Sequence, residues 1–159
     1  GLYMYRTIED FQADWAKSAE GTTRVFEALT DDKLHVAIAD EHNSLGWLAW
    51  HLTTSPSFFG NVLADFGFAA VENAQTTPAS AADIVAAYKR VVQDVTDKMN
   101  ALTDEDLLKP SKLPDGTLNG GLLRLMIDHQ THHRGQMTVL IRQAGLVVPA
   151  VVGPTKEMM

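Results

Sequence analysis

The chain has 159 residues, of which 45% are hydrophobic and 21% charged, and this composition is typical of one globular domain with a single sizeable core. Its formal net charge of −7, with no basic patch among aromatic residues, disfavours nucleic-acid binding. Because cysteine is absent, disulfides and cysteine nucleophiles are excluded, and histidine, aspartate and glutamate are the strong metal ligands that remain.

The first two predicted helices are indicated by apolar residues that recur at steps of three and four. The first is predicted over residues 8–29. The second begins at Asn43 or Ser44, which are both good N-caps, and runs to about Phe66. Pro56 lies inside it and removes one backbone hydrogen bond, so we expect one bent helix at this position.

The second half of the chain predicts two more helices and a tail. The third helix starts at Ser80, and its apolar stripe extends to Leu102. A turn-rich connection, DEDLLKPSKLPDGTLNGG, follows, and the fourth helix is predicted over residues 120–144 with Gly145 after its end. The tail LVVPAVVGPTKEMM contains two prolines and should pack as an extended segment or a hairpin-like flap.

These elements predict an all-α fold: a four-helix bundle with an extended C-terminal tail, formed as a single domain over residues 1–159. The two longer connections leave room for crossovers, so a simple up-down-up-down order is not required. No apolar run reaches transmembrane length, and the start GLYMYRTIED lacks the features of a signal peptide, so we expect a cytoplasmic protein that does not bind membranes.

The stretch DHQTHHRGQ contains the residues with the strongest chemical signal. At about 100° per residue, His129 and His133 fall inside the apolar stripe of the fourth helix, whereas His132 lies roughly 90° from its centre. Histidines at positions i and i+4 share one helix face, so both rings can reach one metal ion. His51 on the second helix is a candidate third ligand. The stripe consists of Leu118, Leu122, Leu125, Met126, Met137, Leu140 and Ala144.

Two interpretations of these histidines stay open at this point. They either hold a metal with open coordination positions, or they are core histidines that hydrogen-bond to nearby groups, because a buried imidazole needs a partner.

The pair of motifs GWLAWHL and HQTHHRGQ resembles the DinB-like superfamily (DinB/YfiT-like putative metalloenzymes), in which a histidine in the second helix precedes H-x-x-x-H-R-G-Q in the fourth. The resemblance covers nearly the whole chain. It implies a bundle of the DinB kind, three histidines that hold a divalent metal, nickel or zinc, and a homodimer. The matching positions are His51, His129, His133, Arg134, Gly135 and Gln136.

Other polar residues near the motif have less specific readings. Gln136 returns to the histidine face and is a candidate pocket residue, although it could equally satisfy a buried backbone group. Arg134 is expected to be solvated or ion-paired, and Gly135 permits a close approach of another helix. Asp128 is expected to be solvated. The expected surface histidines are His35 and His42, and the residues expected near the pocket mouth are Trp47, Trp50, Phe58 and the tail.

The function predicted from these observations is a divalent-metal-dependent enzyme. The resemblance implies a thiol-dependent S-transferase, or a related transferase or isomerase, that acts on a small molecule with a low-molecular-weight thiol. A metal-dependent hydrolase fits the open metal equally well. A non-enzymatic, stress-linked metal-binding protein is the alternative outside enzymes, and a bundle whose histidines hold no metal is the purely structural one.

Overall fold

The computed structural model describes residues 4–159 and confirms the all-α prediction. The first three residues of the predicted single domain lie outside the described part, and the extent of the domain stays a prediction. The described residues contain no strand beyond two isolated bridges. The helices are α1 (Ile8–Glu27), α2 (Leu45–Asn61), α3 (Ala81–Asn100), the short α4 (Asp104–Leu107) and α5 (Asn119–Gln143).

Side-chain caps fix the starts of three helices. The hydroxyls of Thr7, Ser44 and Ser80 each accept a hydrogen bond from the backbone amide three residues later, at 3.1, 3.1 and 3.2 Å. Such a cap stabilises a helix by about 1 kcal/mol because it satisfies an amide that has no partner inside the helix. Ser44, rather than Asn43, is therefore the cap of α2.

The predicted end of α2 near Phe66 is wrong, because the helix ends at Asn61. The backbone amide of Phe66 donates to the carbonyl of Gly60 at 2.8 Å, and the side chain of Asn61 donates to the carbonyl of Phe68 at 2.7 Å. A β-carbon on Gly60 would lie 2.1 Å from the ring of Phe68, so only glycine lets the chain fold back here.

Pro56 lies inside α2 without splitting it, so the prediction of one helix at this position is confirmed. The hydroxyl of Ser55 donates to the carbonyl of His51, and the hydroxyl of Thr54 donates to the carbonyl of Trp50 at 3.1 Å. These bonds supply donors to backbone carbonyls on the turn that precedes the proline.

The connection after α3 contains one helical turn that the sequence analysis assigned to turns. Thr103 and Asp106 form a capping box there, in which the amide of Thr103 donates to the carboxylate of Asp106 at 2.9 Å. The predicted C-terminal tail is confirmed, and it packs across α1, where Arg24 Nε donates to the carbonyl of Ala150 at 3.0 Å.

The four long helices form a bundle in which α1 packs against α3 and α5, and α2 packs against the same two helices. Helices α1 and α2, although consecutive among the long helices, are therefore diagonal across the bundle. This order differs from a simple up-down-up-down bundle, in which consecutive helices are neighbours. It places α2 beside α5, which carry the histidines singled out in the sequence.

Two apolar clusters fill the bundle, and a layer of polar side chains lies between them along α5. Gln130 and Arg134 of α5, Ser18 and Thr22 of α1, and Tyr88 of α3 form this polar layer. The side-chain oxygen of Gln130 accepts hydrogen bonds from the hydroxyls of Ser18, Thr22 and Tyr88 at 3.1, 2.9 and 2.9 Å.

Arg134 is only 6% exposed, so the expectation that it is solvated is wrong. Its Nη1 donates to the backbone carbonyl of Ser18 at 2.9 Å and to the hydroxyl of Thr22 at 3.2 Å. A β-carbon on Gly21 of α1 would lie 2.7 Å from Cγ1 of Val151 and 3.4 Å from Nη1 of Arg134, so this glycine chiefly allows the tail to pack close to α1 beside the guanidinium. Within residues 4–159, no helix combines the length and the apolar character needed to cross a membrane.

Candidate metal centre

The structure brings His51, His129 and His133 together on the face where α2 meets α5. The Nε2 atoms of His51 and His129 are 2.9 Å apart. The ring centroid of His51 lies 4.8 Å from that of His129 and 5.0 Å from that of His133. The ring centroids of His129 and His133 are 4.5 Å apart. One nitrogen from each ring falls within 4.8 Å of the other two, so the group could hold one metal ion.

The histidine pair lies at the edge of the buried face of α5, whereas the helical arithmetic predicted it inside the apolar stripe. His129 and His133 are partly exposed, and Leu125, which was assigned to the buried stripe, is 47% exposed. The centre of the buried face is turned toward α1 because it includes Gln130 and Arg134 of the polar layer. The three rings are consequently accessible from solvent on one side, as a site that exchanges ligands must be.

The surroundings of His51 and His129 favour the neutral form of these two imidazoles. Burial, followed by repulsion from His133, His51 and His132, lowers the pKa of His129 to about 4. Burial, followed by repulsion from His133, also lowers the pKa of His51. A metal binds the neutral imidazole, so a lowered pKa keeps the ligand lone pairs free of protons near neutral pH.

Gln136 orients His133. The Oε1 atom of Gln136 lies 2.8 Å from Nδ1 of His133, and its Nε2 lies 3.4 Å from Nε2 of His132. Because an amide oxygen only accepts, Nδ1 of His133 carries the hydrogen and its Nε2 keeps the lone pair. A hydrogen bond on the remote nitrogen of a ligand histidine is usual in metal sites. Gln136 is exposed, as the pocket prediction requires, and does not satisfy a buried backbone group.

Aromatic rings support the histidines from the α2 side. The indole of Trp47 stacks on the ring of His51 with centroids 4.6 Å apart and planes 18° apart. The ring of Phe59 lies 5.5 Å from that of His129. Trp50, which was expected near the pocket mouth, points away, because it is buried and its Nε1 donates to the carbonyl of Ala74 at 2.9 Å. The tail lies on the α1 side and was also wrongly expected at this mouth.

A groove of about 310 Å³ lies beside the candidate metal centre, and Gln136, which contacts His133, forms part of its wall. Its walls are mostly apolar, and its polar side chains include His42, which the sequence analysis classed as a surface histidine. His42 is exposed, as predicted. Its position in the sequence does not indicate that the loop before α2 packs over α5 and brings this histidine to the groove. The lining residues are Ile38, His42, Asn43, Leu48, Gln136, Val139 and Leu140.

Of the residues that the structure describes, no carboxylate joins the three histidines. Asp128, expected to be solvated, is exposed, and its carboxylate lies 3.3 Å from Nε of Arg124. His132 is exposed and lies outside the group. Three protein ligands with no fourth leave coordination positions for other molecules, which is typical of catalytic rather than structural sites.

Comparison with known proteins gives consistent matches. The model of the DinB family matches residues 4–159. The uncharacterized protein YrdA of Bacillus subtilis (strain 168) is 35% identical over 156 residues, which cover 97% of this chain and 93% of that protein. The uncharacterized protein YjoA of the same organism is 24% identical over 128 residues, 78% of this chain and 82% of that protein.

Two crystal structures have the same fold. A DinB-like protein from Bacillus cereus ATCC 10987 superposes with a TM-score of 0.86 at 37% identity, over 93% of this chain and 99% of that one. The DinB-like protein YjoA from Bacillus subtilis superposes with a TM-score of 0.72 at 21% identity, over 89% of this chain and 97% of that one. The second similarity, at this identity, concerns the fold alone.

Proposed function

Because the chain belongs to the DinB family, we propose that it is a divalent-metal-dependent enzyme whose ion is held by His51, His129 and His133. The observation that carries this proposal is the convergence of three imidazoles from two helices, with one nitrogen of each ring within 4.8 Å of the other two. Without an ion, the 2.9 Å between Nε2 of His51 and Nε2 of His129 is the length of a hydrogen bond.

The donor set also fits the group. Imidazole nitrogen suits both nickel and zinc, and the chain has no cysteine that would favour a softer ion. Bound to three histidines, either ion would lower the pKa of a thiol or water molecule in an open position and present its anion as a nucleophile.

The residues of the chain then have defined tasks. Gln136 keeps His133 in the tautomer that offers Nε2, and the indole of Trp47 holds the ring of His51. The groove beside the centre has room for a small, mostly apolar substrate, with Asn43 and His42 available to bind a polar end. In line with the family resemblance, we assign the reaction to thiol-dependent S-transfer. The sulfur of a low-molecular-weight thiol would lose its proton to solvent, form a carbon–sulfur bond at an electrophilic carbon of a substrate in this groove, and displace the leaving group of that carbon with its bonding electron pair.

The test is metal analysis of protein purified without a metal-affinity column, combined with a transfer assay using several low-molecular-weight thiols. We expect a stoichiometric transition metal and thiol-dependent turnover. The His51→Ala variant should lose both, with metal affinity lowered by about 100-fold or more, because one of three ligands is removed. The matched control is His132→Ala, which removes an exposed histidine of α5 next to His133 and should leave metal content unchanged.

The other results separate the alternatives. Metal in both variants would refute the three-histidine site. Turnover of esters without added thiol would identify a hydrolase. Stoichiometric metal without any turnover, together with unfolding when the metal is removed, would identify a non-enzymatic protein with a structural metal.

We also propose that the chain forms a homodimer through the face that surrounds the centre. Trp47 and Phe58 of α2 and Val62, the residue after its end, lie on the same side of the helix as His51 and are 42%, 52% and 55% exposed. Leu125, one turn before His129 on α5, is 47% exposed. Large exposed apolar side chains in one region of a surface are typical of a protein interface.

A further inference from the structure

A second polar site lies on the opposite side of α5 from the histidines, around Arg134. Nη1 of Arg134 is used by the carbonyl of Ser18 and the hydroxyl of Thr22. Within residues 4–159, Nε and Nη2 make no hydrogen bond, and no carboxylate pairs with this guanidinium. Arginine stays protonated in proteins, so the bundle holds a nearly buried positive charge without a counter-charge.

The guanidinium is not sealed inside the core, because Arg134 lines a cavity of about 350 Å³ between α5 and the C-terminal tail. Lys156 of the tail lines the same cavity and has no ion-pair partner in the described part of the chain. Arg142, a third cation in the wall, is already neutralised by Glu157, whose carboxylate oxygens lie 2.8 and 3.3 Å from its Nε and Nη2.

One threonine hydroxyl adds to the lining. The hydroxyl oxygen of Thr155 in the tail is buried and has no hydrogen-bond partner within residues 4–159, whereas the hydroxyls of Thr131 and Thr138 in the same wall already donate to backbone carbonyls of α5. The cavity thus combines two uncompensated cations, one from α5 and one from the tail, in a chain whose net charge is −7. The net negative charge of the chain repels anions in general, so the positive charge of this cavity is a local feature.

We propose that this cavity binds a phosphate group, either inorganic phosphate or a small phosphomonoester, on Nε and Nη2 of Arg134 and on Lys156. The two nitrogens form the side of the guanidinium fork that binds two oxygens of one anion. A phosphate carries about −1.5 to −2 charges near pH 7 and offers three strongly accepting oxygens, which matches the two cations of the cavity. A carboxylate supplies one charge and two oxygens in a plane, so when it binds the guanidinium fork it leaves the lysine without a ligand.

The site is independent of the proposed metal centre. Arg134 contacts α1 and the tail, whereas the histidines contact α2. The cavity is larger than one phosphate needs, so there is room for a small organic group attached to it. A bound phosphate would also join Lys156 of the tail to Arg134 of α5.

The experiment is titration calorimetry of the full chain, as purified, with inorganic phosphate, a small phosphomonoester and acetate. We expect phosphate or the monoester to bind with a dissociation constant below about 10 mM, and acetate to bind at least about tenfold more weakly. Phosphate can also bind a metal, so the same titration is repeated on His51→Ala, which should retain the phosphate affinity.

Two variants locate the binding. Lys156→Glu reverses a charge in the cavity wall and should weaken phosphate binding about tenfold or more, whereas Lys89→Glu makes the same charge change at an exposed lysine of α3 and should leave it unchanged. Arg134→Lys keeps the charge but removes the fork, and it should also weaken binding. The Lys156 and Lys89 pair decides the matter if Arg134→Lys fails to fold.

Several results would overturn the proposal. These are no phosphate binding below about 10 mM, equal losses in Lys156→Glu and Lys89→Glu, or loss of binding in His51→Ala. Acetate affinity equal to that of phosphate would refute the phosphate assignment. Loss in the Lys156 variant alone, with binding retained in His51→Ala, supports it.

Discussion

The replacement Gln130→Leu tests the polar layer because it removes one acceptor shared by three buried hydroxyls while nearly preserving side-chain volume. Ser18, Thr22 and Tyr88 donate to the Gln130 oxygen at 3.1, 2.9 and 2.9 Å. Tyr88 is fully buried, and this burial raises the pKa of its hydroxyl well above the ordinary value, so the group stays a protonated donor. Because Tyr88 is 0% exposed, bulk solvent does not reach its hydroxyl to replace the lost acceptor.

The cost can be worked from these contacts. The hydroxyls of Ser18 and Thr22 can turn to carbonyls of their own helix, so each loses only the net value of its bond, about 0.5–1.5 kcal/mol. The Tyr88 hydroxyl is left without that acceptor at a cost of about 1–3 kcal/mol. We expect Gln130→Leu to lower the free energy of unfolding by about 2–4 kcal/mol in total, since neighbours relax. For a chain of this length, this corresponds to a melting temperature lower by roughly 4–16 °C.

The decisive assay is a double-mutant cycle by urea unfolding of metal-free protein. In the native background, Tyr88→Phe should cost about 0.5–1.5 kcal/mol, because Gln130 keeps two other donors. In the Gln130→Leu background, the same change removes an unsatisfied donor and should cost nothing or stabilise the protein. The expected coupling energy is about 1–3 kcal/mol.

Additive costs in this cycle would refute the reasoning, because they would mean that the two side chains do not share a hydrogen bond in the folded protein. A useful control is Thr138→Ala, because the hydroxyl of Thr138 donates to the carbonyl of Gly135 outside the polar layer. It should show no coupling to Gln130→Leu.

Three further predictions concern the histidine face. The pKa of His129 is lowered from 6.5 to about 4, so between these pH values the unfolded chain binds more protons than the folded protein. The free energy of unfolding of metal-free protein should therefore fall by about 1 kcal/mol, after allowance for partial exposure, as the pH is lowered from 6.5 to 4. An equally steep loss for the His129→Ala variant in urea unfolding would contradict this. Removal of metal by a chelator should leave the helical circular dichroism signal unchanged, because neither apolar cluster includes the three histidines, and unfolding would instead show a structural metal. Phe58→Glu should convert the proposed dimer to monomer in analytical ultracentrifugation, with Glu105→Lys as a charge-change control on an exposed residue of α4; a Phe58→Glu dimer would exclude this face.

The sequence predicted those parts of the fold that depend on local chemistry. The N-caps Thr7, Ser44 and Ser80 precede their helices with recognisable spacing, so the starts of α1, α2 and α3 were predicted within one or two residues. The end of α2 was missed because Phe66 continues the apolar spacing of the helix. Phe66 is instead buried because the chain turns back after the end of α2, and this turn depends on the close contact between Gly60 and Phe68.

The candidate site, like the fold, has parts that local sequence patterns predict and parts that depend on distant contacts. The i, i+4 spacing of His129 and His133 is a local signal, and the motif around His51 supplied the third member, so all three were selected before the fold was known. Burial of Arg134 was not predicted, because its hydrogen-bond partners Ser18 and Thr22 lie on a helix more than a hundred residues away in the chain. The groove was missed for a comparable reason, since nothing local to the loop before α2 indicates its contact with α5.

The polar layer has a further consequence for how α5 is aligned along its neighbours. If α5 slid by one turn against α1, the amide of Gln130 and the guanidinium of Arg134 would face apolar side chains, and each buried group without partners would cost several kcal/mol. The layer therefore selects a single register between the two helices, as a buried polar residue does in a coiled coil. Because His129 and His133 belong to the same rigid helix, that register also sets their height opposite His51, before any ion arrives.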